Sequence, residues 1–474
     1  MERWSSLPIS LAGKINSVKM TVMPRFLFLF QAIPIFIPKS FFKELNKCTS
    51  TFIWKKTVPR IRREFLERQR EEGGLALPNY MHYYWAANLH KLLFWVSQLN
   101  DDETPVWVHM ERYASSPVSL RSLVCAPLPL SKHLYTNNPV VRDSIKIWVQ
   151  FRTHFKNRNA LLSAPVYGNH LFSPALGGAA FREWYRAGVE CVKNLFKDGV
   201  FMSAAQLEKE YGIPLRTNYF RYFQIRDFVR KTFSSSLELP QSGWIDGLLD
   251  MDPTLKGTVS MLYVNIQRVA SPSLDYIKRK WEEELELDIS DDEWRWAVEL
   301  IHSSSICVRH GLIQFKVLHR LHFTRDKLAR IYQGADPTCP RCKQVPANIC
   351  HMFWSCPRLK EFWTKFFETF SSIYDKNIEP GPLAAIFGVA PGETQLTIAQ
   401  RKAIAFSSLL ARRLILFNWI KAAPPTHKRW VEEVMAHLKL EHLRFTLQGN
   451  TKRYSKVWQP FISYFEREFS SAPT

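Results

Sequence analysis

The chain has no apolar run long enough to cross a bilayer. Its most apolar stretch, Met23 to Pro38, is interrupted by Pro24, Arg25 and Pro34, and it falls short of the roughly 20 apolar residues that a spanning helix needs. Met1 to Lys14 lacks an apolar core of signal-peptide length, so neither a leader nor a membrane partner is expected. Cysteine is scarce, eight in 474 residues. Half of them fall in one cluster, which argues against a disulfide framework and fits a reducing, intracellular setting, nucleus and cytoplasm. Acidic side chains are in deficit, with 43 Asp+Glu against 64 Lys+Arg and a formal net charge of +21. Such an excess points to an anionic partner, nucleic acid first. Internal repeats and low-complexity tracts are absent too.

What is present is chiefly helical patterning. Apolar residues make up 46% of the chain, enough for several cores. Ser10 is placed to cap a helix carrying Ile15, Val18 and Val22, and Phe41, Phe42, Leu45, Cys48, Phe52 and Ile53 recur at helical spacing. The aromatic stretch Tyr80, Tyr83, Tyr84, Trp85, Phe94 and Trp95 reads as core rather than as a base-stacking surface. From Asn100 to Pro139 the composition predicts a loop-rich connector, followed by a helix over 141–155 with Ile145, Trp148 and Val149 inward. The serine run Ser234–Ser236, with Pro240 and Gly243, reads as a hinge, and Ser290 with Glu293 forms a capping box. A helix is expected from Ile313 to about Tyr332, a buried stripe over Leu359, Phe362, Trp363, Phe366, Phe367 and Phe370, and further helices over 409–420 and 429–443.

The fold class is therefore mainly α, a multi-domain helical assembly. Five segments are expected: 1–100, helical with a basic strip; 101–200, a connector with a helical segment; 201–335, helical; 336–375, a small metal-binding lobe; and 376–474, a C-terminal helical domain.

The lobe rests on Cys339, Cys342, His351 and Cys356, spaced C-x2-C-x8-H-x4-C. Thiolates and a neutral imidazole are the donors a tetrahedral zinc ion takes, and four of them leave no position open for a reactive water. One structural zinc ion is expected. Cys350 adjoins His351 and competes with it, but helical neighbours point about 100° apart, and His351 is the better anchor because its second ring nitrogen can find a partner.

Basic residues gather twice. Lys55, Lys56, Arg60, Arg62 and Arg63 form a strip that reads as a phosphate track, a nuclear import signal or a solvated helical face. In the second stretch, Phe220, Phe223, Phe228 and Phe233 are expected to pack on one side while Arg216, Arg221, Arg226, Arg230 and Lys231 project elsewhere to meet solvent or phosphate.

The run LPISLAGKINSVKMTVMPRFLFLFQAIPIFIPKSFF (7–42), then FIWKKTVPRIRREFL and GGLALPNYMHYYWAANL, resembles the thumb and following region of the endonuclease and reverse transcriptase of LINE-type non-LTR retrotransposons. TCPRCK, HMFWSCPRLKEFW, ARRLILFNW and LKLEHLRF resemble the carboxy-terminal segment of the same proteins, in the same order. The resemblance implies a thumb that clasps primer–template duplex and a zinc region that binds the element's RNA, its Cys-Cys-His-Cys set falling on Cys339, Cys342, His351 and Cys356. RNA is then the partner, with DNA or RNA–DNA duplex beside it. The paired magnesium-binding aspartates of the family have no counterpart. Asp101–Asp102 and Asp291–Asp292 follow Leu99-Asn100 and Ile289-Ser290, not the aromatic and small residue of the family hairpin. No enzyme activity is expected. The alternative is a zinc-stabilised protein-interaction scaffold derived from a retroelement.

Overall fold

Helices dominate because many segments carry an apolar stripe of period 3.6, and several, among them Tyr80–Val96, Asp291–Ser303 and Ile398–Phe417, also begin with a side-chain cap. In the computed structural model 64% of the chain is helical. Sheet among the described residues is one hairpin, Phe196–Lys197 against Val200–Phe201. The structure describes residues 4, 6–55, 57–97, 99–100, 102–116, 118–130, 136–169, 181–240, 243–390 and 395–470. Lys56 of the basic strip and Asp101 lie outside these residues.

The chain packs as two units. The first comprises Met1–Val18, Thr49–Leu77 and Ser271–Thr474; the second comprises Lys19–Cys48 and Pro78–Ala270. Residues 1–100, expected as one helical domain, thus contribute to both, and the serine run at Ser234–Ser236 lies inside the second unit.

The second unit is built on the helix Tyr80–Val96, which buries Tyr80, Tyr84, Trp85, Leu89, Leu92, Leu93 and Trp95 and packs against the helices Met23–Ala32, Pro139–His154 and Thr258–Ala270. Such an aromatic density is core, as the pattern implied. Within residues 100–139 the helices Val106–Ser115 and Leu120–Cys125 alternate with irregular segments, the second helix capped by Ser119. In Pro139–His154 Ile145 and Trp148 are buried as expected, together with Val141, Ile147 and Phe151, whereas Val149 is only half-buried.

In the first unit, Ser10 accepts from the Gly13 amide at 3.1 Å, and Ser290 and Glu293 complete their capping box. The single helix expected over 313–332 is two, Val308–Leu318 and Arg325–Ile331. Arg320 between them adopts φ 57°, and its guanidinium sits 4.5 Å from the centre of the Trp281 ring, so a tertiary contact overrides local helix propensity. Towards the carboxy terminus, the helices Lys360–Tyr374, Ile398–Phe417, His427–Leu447 and Thr451–Ser470 enclose a core of Phe362, Trp363, Phe366, Phe370, Trp430 and Phe461.

Gly73 and Gly74 make one sharp turn. Gly73 takes φ +85°, and a Cβ on Gly74 would lie 2.1 Å from the Arg68 carbonyl oxygen, so only glycine fits there. Two histidines hold the turn: His319 Nε2 donates to the Gly73 carbonyl and His302 Nε2 to that of Gly74, both at 2.8 Å.

Candidate metal centre

Two turns carry the four donors. In the first, the Cys339 carbonyl accepts from the Lys343 amide at 2.8 Å and the Cys339 amide donates to Gln344 at 3.0 Å, with Lys343 left-handed at φ 60°. This closes the C-x2-C segment so that both sulfurs face one point. In the second, the Asn348 side chain accepts from the His351 amide at 2.8 Å and opens a short helical segment whose wide π-type turn, His351–Ser355, ends at Cys356. Trp363, on the following helix, donates its Nε1 to the Phe353 carbonyl at 2.8 Å and pins that turn to the core. Phe353 is fully buried, so it packs beneath the site and is not offered to a base.

The four donor atoms lie within 4.8 Å of one another. Cys339 Sγ and Cys356 Sγ are 3.9 Å apart, and Cys342 Sγ is 3.2 Å from His351 Nε2. The edges of a tetrahedron of about 2.3 Å metal–sulfur and 2.0 Å metal–nitrogen bonds are about 3.8 and 3.5 Å, so the cluster could hold a metal ion.

Its electrostatics point the same way. Burial opposes ionisation of Cys339, but the amides of Cys342 and Arg341, aimed at its sulfur, outweigh that and bring its pKa below the usual thiol value. Burial and the neighbouring Cys339 push Cys356 up. Three crowded thiols cannot all ionise without a cation among them, and a divalent ion relieves that conflict. Burial, reinforced by Arg341, lowers the pKa of His351 and favours the neutral imidazole that ligates.

Arg341, inside the cysteine turn, was not distinguished by sequence. It is only 3% exposed, donates to the Met352 carbonyl at 3.2 Å and lies 5.0 Å from the centre of Trp419. Three thiolates around a divalent cation would carry one negative charge, which this buried guanidinium is placed to balance. The adjacent Cys350 turns away: its sulfur lies 3.3 Å from Glu284 Oε2, and burial raises its pKa. The competition for the fourth position resolves in favour of His351.

The basic candidates remain at the surface. In the first unit Lys55, Arg60 and Arg62 are exposed and Arg63 is half-buried. Arg60, Arg62 and Arg63 line an open cavity of about 370 Å³ floored by Ile53, Trp54, Ile61 and Leu66. Arg60 stacks 4.3 Å from the centre of Phe323, and Arg63 pairs with Glu67 at 2.5 Å. In the second unit the helix Leu215–Thr232 carries Arg221, Arg226, Arg230 and Lys231. Arg221 lies 3.9 Å from Glu183, while Arg230 and Lys231 share Asp227 at 3.0 and 2.6 Å.

The expected packing of the phenylalanines is corrected. Phe220 is 74% exposed and Phe223 44%, on the side the cations occupy. The buried face is Asn218, Tyr222, Ile225 and Val229, recurring at i, i+4, i+7 and i+11, a signal present in the sequence but outweighed by the larger rings. Among the described residues no helix is long and apolar enough to cross a membrane. Compared with models of known protein families, the sequence matches none.

Proposed function

We propose that the chain binds RNA and primer–template duplex without doing chemistry on them, as the carboxy-terminal portion of a LINE-type reverse transcriptase that supports target-primed reverse transcription, and that the ion in its Cys3His cluster is a single structural zinc. The observation that carries the reading is the charge: +21 over 474 residues, with Lys55, Arg60, Arg62, Arg226, Arg230 and Lys231 directed to solvent. Exposed cations in excess of local carboxylates neutralise phosphates and release counterions. Zinc is favoured over harder divalent ions because three of the four donors are soft sulfur, and over copper(II) because a Cys3His set with spacings of 3.9 and 3.2 Å suits a tetrahedral rather than a square-planar ion. The closed donor set supports a structural role.

Filter binding of a labelled transcript, titrated with salt, tests the binding; primer extension with the purified chain tests the absence of polymerisation. Retained RNA that declines with salt, with no extended primer, is the expected outcome. Extension by the chain alone would contradict the non-catalytic reading.

A second reading, a protein-interaction scaffold, is favoured by one specific feature: Phe28, Leu29, Ile33, Ile35 and Phe36 are exposed close together in sequence in the second unit, more apolar surface than solvent alone favours. Competition between RNA and an acidic protein for the chain separates the two.

A further inference from the structure

The helix Leu215–Thr232 sets three exposed rings in a row of cations. Counting 100° per residue, Arg216, Tyr219, Phe220, Phe223, Arg226, Asp227 and Arg230 fall on one side of the cylinder, within about 120°. Tyr219 is 55% exposed, beside the Phe220 and Phe223 rings already described, and Arg216, Arg226 and Arg230 are exposed as well. Tyr219 and Phe223 stand edge to face, centroids 5.0 Å apart. The reverse side is what anchors the helix: Trp184 Nε1 donates to the Asn218 side chain at 2.9 Å and the Tyr222 hydroxyl to the Met202 carbonyl at 3.1 Å, with Ile225 and Val229 fully buried. The helix is thus anchored through its reverse side, with Phe223 also standing edge to face against Tyr222, centroids 5.4 Å apart.

We infer that this face is a stacking platform for single-stranded nucleic acid, with bases on Tyr219, Phe220 and Phe223 and phosphates held by Arg216, Arg226 and Arg230. The inference rests on the nucleic-acid reading above and deepens it by assigning the single-stranded part of the ligand to this helix. Two observations choose the occupant. The charge is one-sided: the helix carries five cations and one carboxylate, and that carboxylate, Asp227, is already held by Arg230 and Lys231. The exposed apolar residues within this stripe are all aromatic, while the aliphatic Ile225 and Val229 are inside. Planar rings flanked by guanidinium groups match bases joined by phosphates, and the vesicle arm of the test below separates this occupant from an anionic lipid surface. From residue 216 to residue 230 the stripe runs about 21 Å along the axis, room for a few nucleotides, within the site sizes of single-strand binders.

The test uses the full chain, a fluorescent twelve-residue oligouridylate, an RNA duplex of the same length and anionic phospholipid vesicles. Phe220→Ala is expected to weaken oligouridylate binding about five- to tenfold, and Ala at Tyr219, Phe220 and Phe223 together by more, while duplex affinity and the salt slope stay unchanged because no charge is lost. Tyr219→Phe with Phe220→Tyr keeps the rings and should keep affinity. A 5-iodouridine oligonucleotide should photocrosslink to residues 217–226. Unchanged oligouridylate affinity in the triple variant, an equal loss on duplex, crosslinks confined to other segments, or loss of vesicle binding alone would each overturn the platform while leaving the general reading standing. Failure of the unaltered chain to bind either RNA in dilute salt would overturn both.

Discussion

Cys342→Ser isolates the metal centre with little change in volume. Serine offers a hard oxygen in place of a soft thiolate, and the substituted position sits 3.2 Å from His351 Nε2, so one edge of the tetrahedron loses its sulfur. Structural zinc in small sites contributes about 10–16 kcal/mol. An equal share among four donors is about 2.5–4 kcal/mol, on the order of a hundred- to a thousandfold in metal affinity. Cys350→Ser is the matched control, since its sulfur faces Glu284 at 3.3 Å and is not among the four converging donors. Both variants would be titrated with a chromophoric chelator while released zinc is read by absorbance and bound zinc by elemental analysis; proteolysis of the region 336–359 reports local unfolding. The expected result is early metal release and new cleavage in the Cys342 variant alone. Equal retention of metal by the Cys342 variant and the unaltered chain, or loss in the Cys350 variant, would refute the assignment of ligands.

Other outcomes follow from particular contacts. Gly74→Ala forces a Cβ to 2.1 Å from the Arg68 carbonyl oxygen, so the backbone of the turn must move; a loss of about 2–4 kcal/mol in urea unfolding is expected, and a loss below half a kilocalorie would show that the turn yields freely. Burial lowers His319 from 6.5 to about 4. The unfolded chain therefore takes up a proton that the folded chain refuses between those values, and stability is complete above about pH 6.5 and falls as the pH drops towards 4, by up to about 3 kcal/mol for this residue. His319→Gln should flatten the pH dependence of the unfolding midpoint across that window, and an unaltered slope would exclude His319 as its source.

Much of the fold was legible where the determinants are local. Ser10, and Ser290 with Glu293, announced helix starts because a cap needs only residues three apart. The stripe from Leu359 to Phe370 announced a buried face because six large apolar side chains at period 3.6 have no other stable arrangement. The Cys3His cluster was legible for the same reason: two cysteines with two residues between them make a turn on their own, and His351 and Cys356 bracket another, so the four donors that could hold an ion come together. What sequence concealed depends on distant partners. The break after Leu318 is imposed by Trp281 beneath Arg320 and by the Gly73 carbonyl that His319 binds, contacts more than 35 residues away, although Thr324 offered a local hint by capping the next helix at 3.3 Å. Arg341 carries no local mark of burial, since its role arises only when Met352 and Trp419 fold around it. Along Leu215–Thr232 two stripes compete, one of rings and one of smaller residues, and only the neighbours Trp184 and Met202 decide which turns inward.

The most direct measurement is the affinity of the metal-loaded chain for a labelled RNA as a function of salt. Contacts to about five phosphates predict a straight log–log plot of slope near −4. A flat plot, or no retained RNA in dilute buffer from fully folded, zinc-replete protein, would contradict the claim that this cationic surface grips nucleic acid.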